Sequence, residues 1–268
     1  MKRALALLLM VLAGAATAEA EWQPVVDGVE YQHVTRSGTD AHAVRVDLTN
    51  ANLRIVTTRE SERGLTVSEF AQRNAAIVAI NADYFDVDMR PLGLAMGACG
   101  IWADAMAEVR NEEVVGVGEG KVRIFARKEP LTTPEPWMTG AVSGWPMVVE
   151  DCEPVAKLPG SDHFTRAPHP RTAVGLSGDG KQLYLVVVDG RRDGVPGMTL
   201  PDLAQFMDDL GACTAVNLDG GDSSAMWIRD HIVNLPSGLV ERRVVNHVAV
   251  VAASDYQGCD TPASLPER

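Results

Sequence analysis

The 268-residue chain lacks an excess of positive charge, paired CxxC cysteines and, beyond its first residues, any long apolar run. Each absence removes a class of function. With 24 Lys and Arg against 36 Asp and Glu the formal net charge is -12, so the chain in bulk repels nucleic acid and anionic membranes. An anionic ligand would need arginines concentrated at one place. The six histidines show no zinc-ligand spacing, which leaves a zinc site without sequence support. Neither GxSxG nor GxxxxGK[ST] occurs, so the nucleophile elbow and the phosphate loop are both missing. Aromatics are few, at 5%, but a hydrophobic fraction of 46% suffices for an ordinary core.

What is present begins with Lys2 and Arg3 ahead of an apolar run from Ala4 to Leu12, then the small residues Ala16-Thr17-Ala18 and Ala18-Glu19-Ala20. That order predicts a cleavable signal peptide over residues 1–20 and a periplasmic or secreted protein. The run is too short for a membrane span, and no later one approaches that length. Removal leaves roughly 250 residues, enough for one large domain or two small ones. In an oxidising compartment Cys99, Cys152, Cys213 and Cys259 allow three full pairings. Cys152 and Cys259 have loop-like or terminal surroundings and suit a disulfide, whereas Cys213 precedes an apolar strand and reads as a small buried side chain.

Residues 22–58 read as β-structure, broken at Ser37-Gly38 and Asn50-Ala51-Asn52. Thr66-Val67-Ser68-Glu69 has the capping-box pattern and predicts a helix to about Asn74, feeding a buried strand at Ala75–Ile80. A hairpin is expected at Val114–Val117 and Lys121–Ala126, and residues 87–110 and 128–170 read as loops, with one strand near Met147–Val149. Thr172–Leu176 and Leu183–Val188 flank Ser177-Gly178-Asp179-Gly180 as a second hairpin. Thr199 caps a helix whose apolar stripe is Leu203, Phe206, Met207 and Leu210, closed by Gly211. Strands follow at Thr214–Leu218, Ala225–Ile228 and Val244–Ala252. The sum is an α+β fold: one domain with a mixed, largely antiparallel sheet core and a few packed helices. Residues 21–60 form an N-terminal β segment continuous with a domain at 61–254, and residues 255–268 read as a disordered tail.

One layout occurs twice: capped helix, apolar strand, then Asn-x-Asp, at Asn81 and Asp83 and again at Asn217 and Asp219. A third strand ends in Asp189. Alternation puts Asn217 and Asp219 on the face opposite Val216 and Leu218, and Gly220-Gly221 allows a ligand to approach the main chain. Three carboxylates leaving buried strands can therefore meet in one cleft, although turn-forming Asp and Asn are common at strand ends for local reasons. Arg171 beside His169 and Pro170, Arg191 after Asp189-Gly190, and Arg242 before the last strand each adjoin one of these motifs. Guanidinium forks suit phosphate oxygens, against the plainer alternative of surface ion pairs. Asp83, Asp86 and Asp88 alternate as in a calcium loop but lack the EF-hand glycine. Asp222 is the second candidate ligand for Ca2+ or another divalent cation. His247, within a regular strand, reads as a core histidine.

Asn81 with Tyr84-Phe85, Pro91 and Gly93, then His169-Pro170-Arg171-Thr172-Ala173-Val174-Gly175, Val188-Asp189-Gly190-Arg191 and Asn217-Leu218-Asp219-Gly220-Gly221-Asp222-Ser223-Ser224 together resemble the phosphodiester glycosidase family. The resemblance spans roughly residues 70–252 and departs from the family at Ala82-Asp83 and Asp222, both of which add carboxylates. It implies hydrolysis of the C1–O bond of a sugar-1-phosphodiester, with small-molecule or glycan substrates and no nucleic-acid partner. Asp219 is then the principal carboxylate, with Asp189 or Asp83 as partner. Arg171, Arg191 and Arg242 would hold phosphate, and Asn81, Asn217, Ser223, Thr172, His169, Gly220 and Gly221 would line the substrate site. Two other readings stand beside it: a metal-dependent phosphodiesterase cutting P–O, and a non-catalytic glycan- or envelope-binding module.

Overall fold

In the C-terminal strand His247–Ala252, His247, Ala249 and Val251 point one way and Val248 and Val250 the other, yet all five are buried. A strand apolar on both faces must be covered on both, and this one decides how the layers stack. A computed structural model of the protein describes residues 21–256 apart from 37, 106–112, 119, 127–130 and 132, together with 258 and 259. The expected signal peptide, residues 1–20, lies outside the described residues.

Three sheets form, and every strand pair among the described residues is antiparallel. The large sheet runs in the order Gln23–Val26, Val29–Arg36, Thr39–Asp47, Gln182–Val188, Arg171–Leu176, Thr214–Asn217, Met147–Glu150 and Glu153–Pro154. The second runs His231–Ile232, Met226–Ile228, Ala76–Asn81, His247–Ala252 and Leu53–Thr57. The third runs Gly100–Ile101, Met96–Gly97, Gly140–Gly144, Glu113–Gly118 and Lys121–Phe125. All three send side chains into one core that includes Val44, Leu185 and Val216 from the large sheet, Ile80 and Val250 from the second, and Val115 and Val142 from the third. A shared core of this kind makes the α+β architecture a single domain.

Helices cover the outer faces. The helix Val67–Arg73 is capped by Thr66, which exchanges hydrogen bonds with Glu69 as the capping box predicts. It packs Val67, Phe70 and Ala71 on Ala79, Ala249 and Val251. His247 belongs to that layer: its ring stacks on Phe70 with centroids 4.4 Å apart, and burial holds its pKa down to about 3, so it stays neutral. Leu200–Asp209, capped by Thr199, buries Leu203, Phe206 and Met207 against Ala173, Val186 and Ala215 of the large sheet.

The loop reading of 128–170 needs correction. A full strand, Gly140–Gly144, and a short helix, Asp162–Arg166, lie inside it. Small residues and proline hid both, because Gly140 and Gly144 sit where a Cβ would strike Thr57 and the Asn217 carbonyl. Of the three pairings left open, the structure has Cys99 with Cys259 and Cys152 with Cys213, so Cys152 and Cys259 are bridged as expected and Cys213 is a disulfide partner and not merely a small buried side chain. Pairing of Met147–Glu150 with Thr214–Asn217 sets Cys152 beside Cys213, whose carbonyl accepts its N–H at 2.9 Å. The Cys99 bridge likewise ties Cys259, within the expected tail, to the body of the domain.

Candidate active site

The two Asn-x-Asp strand ends belong to different sheets, Ala76–Asn81 to the second and Thr214–Asn217 to the large one. The Asn81 side chain joins them. Its Nδ2 donates to the Asp219 carbonyl at 2.6 Å, and its Oδ1 accepts from the Thr172 hydroxyl at 2.9 Å and the Ala225 N–H at 3.2 Å. The Asp219 N–H donates in turn to the Ala82 carbonyl at 2.8 Å, and the Leu218 N–H to the Thr172 carbonyl at 2.8 Å. Asn81 and Thr172 are both 0% exposed, so water cannot substitute for any of these bonds. They fix the backbone that carries Asp219.

After Asp219 the chain turns sharply into a short 3-10 segment, Gly221–Ser223. A Cβ on Gly220 would lie 2.7 Å from the Pro170 carbonyl, and Gly221 adopts φ +62 beneath the Arg191 guanidinium. The glycines therefore seat the turn under both neighbours. A cleft of about 240 Å³ opens above, lined by Tyr84, His163, Phe164, His169, Pro170, Arg171, Arg191, Asp219, Gly220 and Gly221. Three larger surface clefts, of about 490, 520 and 540 Å³, include neither a buried arginine nor an acid held above its usual range.

Two opposite charges face this cleft. Burial raises the Asp219 carboxyl to about 6, against the opposing pull of the Ser223 hydroxyl, Arg242, the Gly220 N–H and Arg191. Arg171, 2% exposed, donates from Nε to the Met198 carbonyl at 3.0 Å and from Nη2 to the Phe164 and Ala167 carbonyls at 2.7 and 3.3 Å. Among the described residues no carboxylate pairs with it and its Nη1 makes no hydrogen bond. Burial lowers its pKa to about 10. Its guanidinium also lies over the Phe164 ring, 5.3 Å from the centroid.

The other expected site residues divide into lining and support. His169 and Arg191 line the cleft; His169 is kept below its ordinary pKa by burial, and its buried Nδ1 has no partner among the described residues. Asn217 is wholly buried and donates to the Tyr84 hydroxyl at 2.6 Å and the Trp145 carbonyl at 2.8 Å, while its Oδ1 has no partner among the described residues. Asp83 stands behind the cleft. Its carboxylate accepts from the Ser143 N–H at 2.5 Å and from Asn246 Nδ2 at 2.9 Å, and burial, with a smaller contribution from the Asp219 charge, raises it to about 8. Arg242 donates to Ser223 Oγ at 3.3 Å and lies over the Phe85 ring at 4.8 Å.

Three further carboxylates already have partners. Asp189 is 2% exposed and absent from the cleft lining; it accepts from Arg192 at 2.7 Å, Asn234 at 2.9 Å and the Leu235 N–H at 2.9 Å. Asp222, weighed as a cation ligand, accepts at Oδ1 from Arg191 Nη1 at 2.8 Å and from the Ser237 hydroxyl at 2.6 Å. Asp86 of the calcium-like run accepts from the Asp88 and Arg90 N–H groups and from Arg90 Nε. Among the described residues, the group of three His, Cys, Asp or Glu side chains close enough to share an ion is His33, Asp40 and His42, away from this cleft.

Sequence reasoning missed Tyr84, His163 and Phe164 as cleft residues. Tyr84 directly follows Asn81-Ala82-Asp83, so its place was within reach of the motif. Phe164 depended on a five-residue helix with no periodicity to reveal it.

The cleft thus presents an acid with a raised pKa and a buried cation on one lining. The chain belongs to the phosphodiester glycosidase family, whose model matches residues 74–251. Over 196 residues it is 27% identical to the SPbeta prophage-derived uncharacterized protein YomE of Bacillus subtilis (strain 168), covering 71% of this chain and 30% of that protein. Over 195 residues it is 26% identical to the N-acetylglucosamine-1-phosphodiester alpha-N-acetylglucosaminidase of Bos taurus, covering 66% of this chain and 36% of that protein. The chain thus spans 30% and 36% of the length of these two relatives. The zebrafish catalytic domain of the same enzyme, auto-inhibited by its pro-peptide, superposes with a TM-score of 0.66 at 19% identity, over 89% of this chain and 85% of that one.

Replacing Asn81 by Ala would orphan the buried Asp219 carbonyl and Ala225 N–H at once and leave the Thr172 hydroxyl only Ser224 Oγ, 3.2 Å away. An expected loss of about 3 kcal/mol follows from the usual cost of such groups, read from chemical denaturation; an unchanged midpoint would contradict the joining role given to Asn81.

Proposed function

We propose that the protein is an exported hydrolase that cleaves the glycosidic C1–O bond of a sugar-1-phosphodiester. The observation that carries this reading is the opening of Asp219 and the carboxylate-free Arg171 onto one cleft. A phosphodiester brings a single negative charge, which supplies the counter-ion that Arg171 lacks. Arg171 and Arg191 then hold the phosphate, and the Arg242 charge adds to the field at Asp219. Phosphate departs as a stable anion, so guanidinium groups that stabilise its growing charge take over much of a general acid's work.

Asp219 is the working carboxylate, as nucleophile or as base for water, opposite an oxocarbenium-like transition state. Asp83 and Asp189 act as positioning groups. Asp83 braces the wall through Ser143 and Asn246, and Asp189 fixes the Arg192–Leu235 loops. The family membership supports the reaction class, and the two disulfides fit an oxidising compartment outside the cytoplasm. No helix among the described residues is long and apolar enough to cross a membrane.

Hydrolysis of sugar-1-phosphodiesters in oxygen-18 water tests the bond cleaved. Label in the sugar is expected, and label in the phosphate would overturn the C–O assignment. The Asp219→Asn variant should keep its circular dichroism spectrum and lose on the order of 1,000-fold in kcat; retained turnover removes Asp219 from the chemistry. The pH dependence follows from the same carboxyl. Asp219 works ionised and its pKa is raised to about 6, so kcat/KM should climb as pH passes through that value and level off above it. A profile flat between roughly pH 5 and 7 would place the essential ionisation elsewhere.

A further inference from the structure

The hairpin Val29–Arg36 with Thr39–Asp47 sets His33 opposite His42 and Thr35 opposite Asp40. Positions two apart share a face, so His33, Asp40 and His42 crowd one side of the strand pair. Their ring nitrogens and carboxylate oxygens lie within 4.8 Å of one another. His33 Nε2 is 2.6 Å from Asp40 Oδ1, and the two imidazoles stack with centroids 4.4 Å apart. His42 is 3% exposed, and its Nε2, 3.9 Å from the same Asp40 oxygen, has no hydrogen-bond partner among the described residues. That gap is too long for a hydrogen bond. Two ligands that share one tetrahedral ion at about 2 Å each stand about 3.3 Å apart, so a shift of roughly half an ångström, with a small rotation of the stacked rings, brings this pair to ligating separation.

We propose that His33 Nε2, His42 Nε2 and Asp40 Oδ1 form a binding site for Zn2+ or a neighbouring divalent transition ion. Two imidazole nitrogens and one carboxylate oxygen make a borderline donor set, which favours such ions over the oxygen-seeking Ca2+ and Mg2+. The surroundings are arranged as outer-shell groups usually are. The Tyr31 hydroxyl lies 2.8 Å from His42 Nδ1, and Arg192 donates to Asp40 Oδ2 at 3.2 Å, leaving Oδ1 to face the imidazoles. Arg192 also pairs with Asp189, so two carboxylates outweigh one guanidinium and the local field attracts a cation. His33, 46% exposed, gives an ion its way in from solvent. The sequence could not announce this site by spacing, because its ligands face each other across a hairpin.

Protein freed of metal by a chelator, titrated with Co2+ under visible spectroscopy and with Zn2+ by calorimetry, tests the site. A single ion of each should bind, with Co2+ giving ligand-field bands and Zn2+ raising the melting temperature. His33→Gln and Asp40→Asn should each weaken binding by at least about tenfold, and a metal-free melt close to that of the parent establishes that the variants fold. Failure of the parent to bind either ion at micromolar concentration, or equal binding by the folded variants, overturns the proposal.

Discussion

The site depends on one amide. Asn81 spends both ends of its side chain on three partners drawn from different strands and loops: the Asp219 carbonyl, the Thr172 hydroxyl and the Ala225 N–H. None of the three can turn to water, because the region is closed to solvent. A carboxylate of the same shape could accept from Thr172 and Ala225 but would set an oxygen against the Asp219 carbonyl. Only an amide is complementary here. The consequence reaches beyond stability: the second and large sheets are held in fixed relation at the point where the Asp219 side chain leaves the backbone.

That rigidity allows charges to be kept in surroundings that oppose them. Desolvation pushes Asp219 and Asp83 toward their neutral forms and draws Arg171 down from its usual range. A flexible segment would swing such groups into water. Here Arg171 is pinned by three carbonyls and Asp83 by two N–H donors, so neither can escape and the strain stays at the cleft. In a chain with a formal net charge of -12, a cation lacking a carboxylate is conspicuous. Acidic groups are plentiful on the surface, yet among the described residues none is brought against Arg171.

Local signals were legible in the sequence. Thr66 and Thr199 announced their helices through capping chemistry that needs only four consecutive residues. The hairpin Arg171–Leu176 with Gln182–Val188 was readable from alternation and its Ser-Gly-Asp-Gly turn. Asn217 to Ser224 stood out as a turn carrying unusual chemistry, and Arg171, Arg191 and Asp219 do line one cleft. What pattern could not supply was the partner of each strand-end acid. Asp189 and Asp219 look alike in sequence, since each closes a buried strand and precedes glycine. They diverge because Asn234 and Leu235, far along the chain, close over Asp189 while no equivalent pair among the described residues covers Asp219. The same non-local cause hid the disulfide pairing and the Phe164 wall. Both arise from which strands become neighbours, a property of the assembled sheets and not of any window of residues.

The contrast between those two acids bears on the proposed chemistry. An oxygen that already accepts two or three N–H bonds has few lone pairs left for a substrate or for water, and attack through it would first have to break those bonds. Asp189 is in that condition. Asp219 is surrounded by protein yet keeps one side open to the cleft, with Ser223 and the Gly220 N–H as its close hydrogen-bonding support. Its raised pKa makes it a stronger base than a surface aspartate, and the arginines nearby keep it from being raised so far that it stays protonated at neutral pH. Nucleophile and phosphate both carry negative charge, and without the cations they would repel across a water-poor cleft. On this reading the arginines divide the work: Arg171 and Arg191 hold the leaving group, and Arg191 and Arg242 let a desolvated carboxylate remain ionised.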